Sequence, residues 1–445
     1  MTASPATRHN RIPLYTLLAA NAVSMVGNAL TIVALPWFVL EATGSAAKTG
    51  LTGFFMLLPA VLSGVFGGPL VDRLGFKRSS ILADAVSGVG IALIPLLYHT
   101  VGLAFWQLLA LVFLGALLDV PGLTARRSLL PELATLAGVR LERANAAYEA
   151  NNQISFLLGP PLAGLLIAAV GPTKVLWIDA ATFAVAVAAI AVAVPNVAGA
   201  ALVRPAGRYL TEVKRGLDFL RRDRVLVALA VSLCLTNLFG SPFVAVILPV
   251  YGQETLGSAT TLGLLLGVAG VGSLAGTLAY GAVGYRWPRR LVWLAGFLLM
   301  PVEFWALWLE PSVPVLAVAM ATTGFMAGPI NPLAVTVRHE RIPHELRGRV
   351  FATFSAIALA VGPLGVLVAG WLIEALGFSP TVFLFAVGAQ LVGLGMLFVP
   401  AFGEMEPAAT AGALGTAPAA TSPHGGIADY PPTSPPTTTT TTNTR

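Results

Sequence analysis

The residues of this sequence that could do chemistry are polar side chains set inside long apolar runs. Asn21 and Asn28 stand seven residues apart in one run and so share a helix face. Asn237 and Asn331 lie in two others, and Glu149, Asn151, Asn152 and Gln153 crowd the start of a fourth. Buried amides either bind a ligand or hydrogen-bond a neighbouring helix, and both readings stand for each of these. A buried carboxylate can hold a proton at neutral pH. The candidates are Asp84, Asp119, Glu149, Asp179 and Glu303; Glu149 is the preferred one and Glu303 the deepest.

Other chemistries are poorly supplied. His9, His99, His339, His344 and His424 fall in loops, turns or tails, and neither Gly-x-Ser-x-Gly nor His-Glu-x-x-His occurs. The single Cys234 leaves no intrachain disulfide. No Gly-x-x-x-x-Gly-Lys-[Ser/Thr] loop is present to cradle a nucleotide. The sequence therefore predicts no enzyme, no metal site and no cofactor.

The elements that carry these residues follow from composition. Of 445 residues, 56% are hydrophobic and 10% charged, with mean hydropathy +0.81. A soluble domain is closer to a quarter charged, so a soluble enzyme, a disordered chain and a coiled coil are all excluded. A helix needs roughly 20 apolar residues to cross a bilayer. Twelve such runs are legible: 13–40, 49–71, 80–98, 103–121, 145–170, 175–195, 225–250, 258–283, 290–309, 313–332, 350–373 and 379–400. The fold class expected is an all-α polytopic membrane protein. Of the 26 Lys and Arg residues, all but Lys48 and Lys174 fall on one side of this arrangement. Positive charge marks the cytoplasmic side, which places both termini inside. The net charge of +6 thus lines a membrane face, and no nucleic-acid partner is expected.

The chain reads as two six-span halves. Gly75-Phe-Lys-Arg78 after the second run is echoed by Gly284-Tyr-Arg-Trp-Pro-Arg-Arg290 after the eighth. Pro121 and Arg127 are echoed by Pro332 and Arg338, and Gly159-Pro160 by Gly362-Pro363. Such parallel duplication builds many secondary transporters. The expected organisation is an N-terminal cytoplasmic segment (1–12), a first six-helix bundle (13–195), a linker (196–224), a second bundle (225–400) and a tail (401–445). Within the linker, Leu210, Val213, Leu217 and Leu220 at helical spacing, among Lys214, Arg215, Arg221 and Arg222, predict an amphipathic surface helix. The tail is rich in Ala, Pro and Thr and reads as disordered and cytoplasmic.

The turn after the second run reads Gly68-Pro-Leu-Val-Asp72-Arg73-Leu-Gly75-Phe-Lys77-Arg78. This resembles the loop 2–3 signature of the major facilitator superfamily. Gly68 permits close helix approach, and a carboxylate at the membrane edge needs a cation or a helix N-terminus. The resemblance implies that Asp72 latches the cytoplasmic side against the start of span eleven, among Arg73, Lys77 and Arg78. Asp119, read as near the cytoplasmic end of span four, would join that network. The alternative is that both aspartates balance loop arginines.

In span five, Gly159-Pro160-Pro161-Leu162-Ala163-Gly164 is similar to the end of the superfamily's antiporter motif, with Ala163 in place of a glycine and the upstream glycines absent. Export is the reading preferred over import; an ordinary kink is the alternative. Pro36-Trp-Phe-Val-Leu-Glu41, Asp119-Val-Pro-Gly122 and Leu130-Pro-Glu-Leu133 resemble one exporter branch, which contains macrolide efflux proteins and siderophore (enterobactin-type) exporters. The resemblance implies two pseudo-symmetric six-helix bundles around a cavity lined by spans one, four, seven and ten. Asn21, Asn28, Asn237 and Asn331 are then the cavity candidates, with Trp37 and Phe239 nearby. Proton coupling is expected, through Glu149 or Glu303, although no basic residue occurs from Phe105 to Leu118 where many proton-coupled relatives carry one. The expected function is export of small amphipathic or hydrophobic compounds by a monomer in the cell membrane. The alternatives are a narrow metabolite carrier or importer, and a transporter-like sensor.

Overall fold

The computed structural model describes residues 9–196 and 209–406. Among them are twelve helices long and apolar enough to cross a membrane. In chain order, spans 1 to 6 are Ile12–Thr43, Ala46–Leu74, Phe76–His99, Phe105–Ala137, Leu141–Val170 and Pro172–Ala193. Spans 7 to 12 are Arg224–Glu254, Ala259–Val283, Arg289–Leu309, Val313–Arg341, His344–Leu376 and Phe378–Met396. Each of the twelve predicted runs finds its helix, and no strand occurs among the described residues.

One boundary differs in a way that matters. The fourth run was expected to end at 121, but span 4 continues to Ala137. Pro121 lacks an N–H, which interrupts the helix at Leu118 without ending it. The carbonyl it frees, on Leu117, accepts from Ser63 Oγ of span 2 at 2.9 Å. Spans 9 and 10 also break and resume, at Pro301 and Pro329, and there too side-chain hydroxyls meet carbonyls beside the break. Met300 O accepts from Thr323 and Gly328 O from Thr277, at 3.2 and 3.0 Å. Neighbouring hydroxyls re-satisfy the backbone, so proline bends these helices within the bundle.

The internal repeat is present in the side-chain packing. Tyr148 and Phe351 each stand eleven residues before the glycine of their Gly-Pro pair, Gly159 and Gly362. Arg127 lies over the Tyr148 ring at 5.7 Å, and Arg338 over the Phe351 ring at 5.0 Å. One cation–π contact thus recurs between spans 4 and 5 and between spans 10 and 11.

Among the described residues, buried apolar side chains form three clusters. The largest draws on both halves, from Leu30, Phe38 and Ile167 to Phe243, Leu262 and Val366. It occupies the end that carries the 1–2, 5–6, 7–8 and 11–12 connections. At the other end each half has its own cluster, around Leu14, Leu133 and Ile190 in the first and around Leu226, Trp293 and Phe354 in the second. The halves share a core at one end and keep separate cores at the other. Two glycine pairs bring them together at the shared end. A Cβ on Gly164 of span 5 would lie 3.0 Å from Gly263 Cα of span 8, and one on Gly50 of span 2 would lie 2.9 Å from Gly370 Cα of span 11. Small residues allow this backbone approach, which in lipid is a main source of helix association.

The linker contains the helix Tyr209–Arg222. Its Leu220 is buried in the second half's cluster, and Gly216 faces Thr353 and Arg349 of span 11. This helix docks on the second half as well as presenting a basic face. Leu210 and Val213 have side chains outside the described part, as do residues 197–208. The tail was expected to begin at 401, yet Pro400–Met405 form a 3-10 turn whose Phe402 packs on Trp293 at 6.1 Å between ring centres. The apolar Phe402 and Met405 have a core to enter, which the Ala/Pro/Thr composition of the tail obscured. Residues 1–8 and 407–445 lie outside the described part.

Candidate functional site

The longer span 4 carries a basic residue into the bundle. Pro121, Gly122, Ala125, Arg126, Leu129, Leu130, Leu133 and Ala137 form its buried stripe, so Arg126 sits on the inward face of an amphipathic helix. Its relative exposure is 2%. It forms an ion pair with Asp84 of span 3, itself 3% exposed. Its remaining donors are placed as well. Nη1 donates to Asn21 Oδ1 and Nε to Ser80 Oγ, both at 3.2 Å, and Nη2 reaches Ser24 Oγ at 3.4 Å. Ser24 Oγ in turn donates to Asp84 at 3.4 Å.

The cluster extends across the half. Asn21 Nδ2 donates to Asn152 Oδ1 of span 5 at 3.2 Å, and Asn151 donates to Leu18 O at 2.9 Å. One guanidinium therefore ties together spans 1, 3 and 4 and, through Asn21, span 5. A buried ion pair recovers its desolvation cost only when further hydrogen bonds satisfy the groups left over. Here the guanidinium is satisfied, while Asp84 Oδ2 has no partner among the described residues. That oxygen is where a proton could bind without displacing the arginine.

Two further carboxylates lie in the same half. Asp119 accepts from Ser87 Oγ at 2.8 Å, and Ser87 also meets Gly115 O at 2.7 Å. Because span 4 continues to Ala137, Asp119 lies in mid-helix and not near its end, a correction to the sequence reading. Asp179 of span 6 is fully buried and accepts from Thr31 of span 1 and from Thr182.

The other predicted residues scatter. Glu149 pairs with Arg127 at 3.0 Å, but their side chains are 54% and 63% exposed. Glu303 is half-buried in span 9 and makes no hydrogen bond or ion pair with any described residue. Asn28 is half-buried and also without a hydrogen bond among the described residues, whereas Asn21, four residues beyond Leu17, is wholly enclosed by the arginine cluster. Asn237 turns back to Leu233 O of its own helix at 3.0 Å, and Asn331 is exposed. Trp37 is packed in the shared core beside Gly252, its carbonyl accepting from Gln253 at 2.8 Å. Phe239 meets Phe385 of span 12 edge-on at 5.7 Å. The structure does not gather these six residues around one point.

In the turn after span 2, Gly75 takes φ +78° between the two helices. Arg73 and Arg78 are exposed, and Lys77 donates to Ala191 O at the end of span 6 at 2.9 Å. The side chains of Gly68 and Asp72 lie outside the described part. In span 5, Gly159 packs on Ala29 of span 1, and Pro160 O and Gly164 face Gly263 of span 8. The helix runs on through Pro160 and Pro161.

Sequence reasoning named Asp84 and Asn21 but missed Arg126, Ser24 and Ser80. Arg126 was counted with the cytoplasmic loop because the run was ended at Pro121. The helical spacing of Gly122, Leu129, Leu133 and Ala137 was the signal that would have placed it inside.

The family described as Major Facilitator Superfamily matches residues 17–259 and 236–428. The multidrug efflux pump Tap of Mycobacterium tuberculosis is 35% identical over 403 residues, covering 89% of this chain and 96% of that one. Macrolide efflux protein A of Streptococcus pyogenes is 23% identical over 384 residues, covering 83% and 91%. Among solved structures, a D-xylose–proton symporter superposes with a TM-score of 0.68 at 16% identity, covering 88% of this chain and 98% of that one; at this identity the likeness shows the fold. The twelve spans and these matches describe a multi-pass cell-membrane protein that carries small molecules. Paired six-helix halves, a shared core at one end and a sequence match along nearly all of the packed chain lead to one assignment: this chain belongs to the Major Facilitator Superfamily.

Proposed function

We propose that this protein exports small amphipathic or hydrophobic compounds by alternating access, driven by inward proton movement, with Asp84 as the proton-binding carboxylate. The observation that carries the coupling is the buried Arg126–Asp84 pair, with one oxygen of Asp84 unpartnered among the described residues. Protonating Asp84 removes the charge that balances Arg126. The guanidinium is then left to Asn21, Ser24 and Ser80, which lie on spans 1 and 3. Proton occupancy is thereby linked to how span 1 sits against spans 3 and 4, a local charge change acting on an element with two arrangements. Asp84 fits this role better than Glu149, whose pair with Arg127 is open to water.

Export is supported by the similarity to efflux proteins. We read both termini as cytoplasmic from the basic residues that gather on one side, Lys48 and Lys174 excepted and Arg126 drawn into the bundle. We read the protein as a monomer built of the bundles 13–195 and 225–400. Asp72 acts as the cytoplasmic latch, and Asn28, Asn237 and Asn331 are the amides that meet substrate, Asn237 with its Oδ1.

The test is accumulation of a panel of lipophilic dyes and antibiotics in efflux-deficient cells, with and without a protonophore. Lower accumulation that the protonophore abolishes supports gradient-driven export. Asp84→Asn should abolish that concentrative export while substrate exchange down its own gradient persists. Protonophore-sensitive export by Asp84→Asn at the parent rate would remove Asp84 from coupling.

A further inference from the structure

Spans 2 and 11 belong to different halves, run antiparallel and pack against each other. Glu374 stands in the last turn of span 11, where its Oε2 accepts from Ser45 Oγ at 2.9 Å and from the Ala47 backbone N–H at 3.1 Å. Ser45 is the N-cap of span 2, and Ala47 lies in its first turn. One carboxylate thus closes the N-terminus of a helix in the other half. Lys48, the charged neighbour on that turn, adds attraction of the same sign. Aligned peptide dipoles and free N–H groups at a helix start favour an anion.

We propose that Glu374 is the gate residue that holds the extracellular end of the transporter shut. Three features of the fold give it that position. It sits at the rim of the single apolar core that both halves share. One turn deeper, Gly50 and Gly370 bring the two backbones together. Its side chain is exposed, so water can receive the carboxylate when the halves part, and the contact is reversible. The matching contact between spans 5 and 8 lacks such a group: Ser258 caps span 8 on the Thr261 N–H at 3.1 Å, and no carboxylate from span 5 reaches it among the described residues. The closure is therefore built into one of the two inter-half seams.

The word extracellular rests on the orientation proposed above; the closure itself does not. The experiment uses the full chain carrying Cys234→Ser, with spin labels at Val101→Cys and Ser379→Cys, one exposed site in each half at this end. Distances are read by pulsed electron resonance in lipid nanodiscs. Glu374→Ala should raise the ratio of long to short distances by about threefold or more. Glu374→Gln keeps an oxygen for the same two donors and should fall between Ala and the parent. Superimposable distance distributions for the parent and Glu374→Ala would overturn the gate. Separately, a membrane-impermeant maleimide should label Val101→Cys in intact cells. Labelling confined to inverted vesicles would overturn the extracellular assignment while leaving the closure to the spin-label result.

Discussion

Arg126 crosses from span 4 to pair with Asp84 on span 3, and both side chains are almost completely withdrawn from solvent. Removing one member of such a pair leaves an uncompensated buried charge, which costs about 3–5 kcal/mol. Arg126→Leu should therefore lower the unfolding temperature in detergent and abolish transport. Replacing both, with Arg126→Leu and Asp84→Leu together, should restore much of the stability and none of the coupled transport. A double variant no more stable than Arg126→Leu alone would show that the two side chains do not act as a pair.

Glu149 offers the contrasting case. Its pair with Arg127 is solvent-exposed on both sides, and exposed pairs contribute about 0–1 kcal/mol. Glu149→Gln should leave thermal stability unchanged and the transport rate within about twofold of the parent. A loss of transport as large as that of Asp84→Asn, with the protein still in the membrane, would return the coupling role to Glu149.

The legibility of this chain divides along physical lines. Hydropathy and loop charge are signals summed over many residues, so twelve spans could be read from the sequence. The Gly-Pro pairs and the Pro-to-Arg spacing likewise carried the internal repeat. What composition could not show was which way a single polar residue faces. Arg126 and Arg127 are adjacent, yet one enters the cluster around Asp84 and the other pairs at the surface with Glu149. Pro121 looked like the end of a helix because proline removes a hydrogen bond; that the Ser63 hydroxyl stands ready to donate to the freed carbonyl depends on a helix more than fifty residues earlier in the chain. Glu374 was invisible for the same reason, since its partners Ser45 and Ala47 lie in the other half.

The seam between spans 5 and 8 is set by backbone approach. A Cβ on Gly164 would lie 3.0 Å from Gly263 Cα, and the neighbouring backbone of Ala259 is nearer still. Overpacking of this kind costs about 1–3 kcal/mol. Gly164→Val should reduce thermal stability by that order and slow transport, because the halves can no longer close on this seam. A variant with parent stability and rate would mean that spans 5 and 8 separate freely there.

The turn after span 12 gives the last test, with an internal control. Phe402 is 1% exposed, and its ring lies against Trp293, whereas Phe398 is 82% exposed only four residues earlier. Truncating a buried phenylalanine costs about 3–5 kcal/mol, because its favourable transfer from water is lost and a cavity is left behind. Phe402→Ala should therefore lower the unfolding temperature clearly, and Phe398→Ala should change it little. The turn also offers its backbone to the bundle, since Arg289 donates to Met405 O at 3.2 Å while holding Glu340. If Pro400–Met405 belong to the second half as this packing implies, Phe402→Ala will also weaken the neighbouring Trp293–Phe297 contact, at 5.2 Å between ring centres, and the Trp293 fluorescence will shift. Equal, small effects of the two alanine variants on stability would detach the turn from the core.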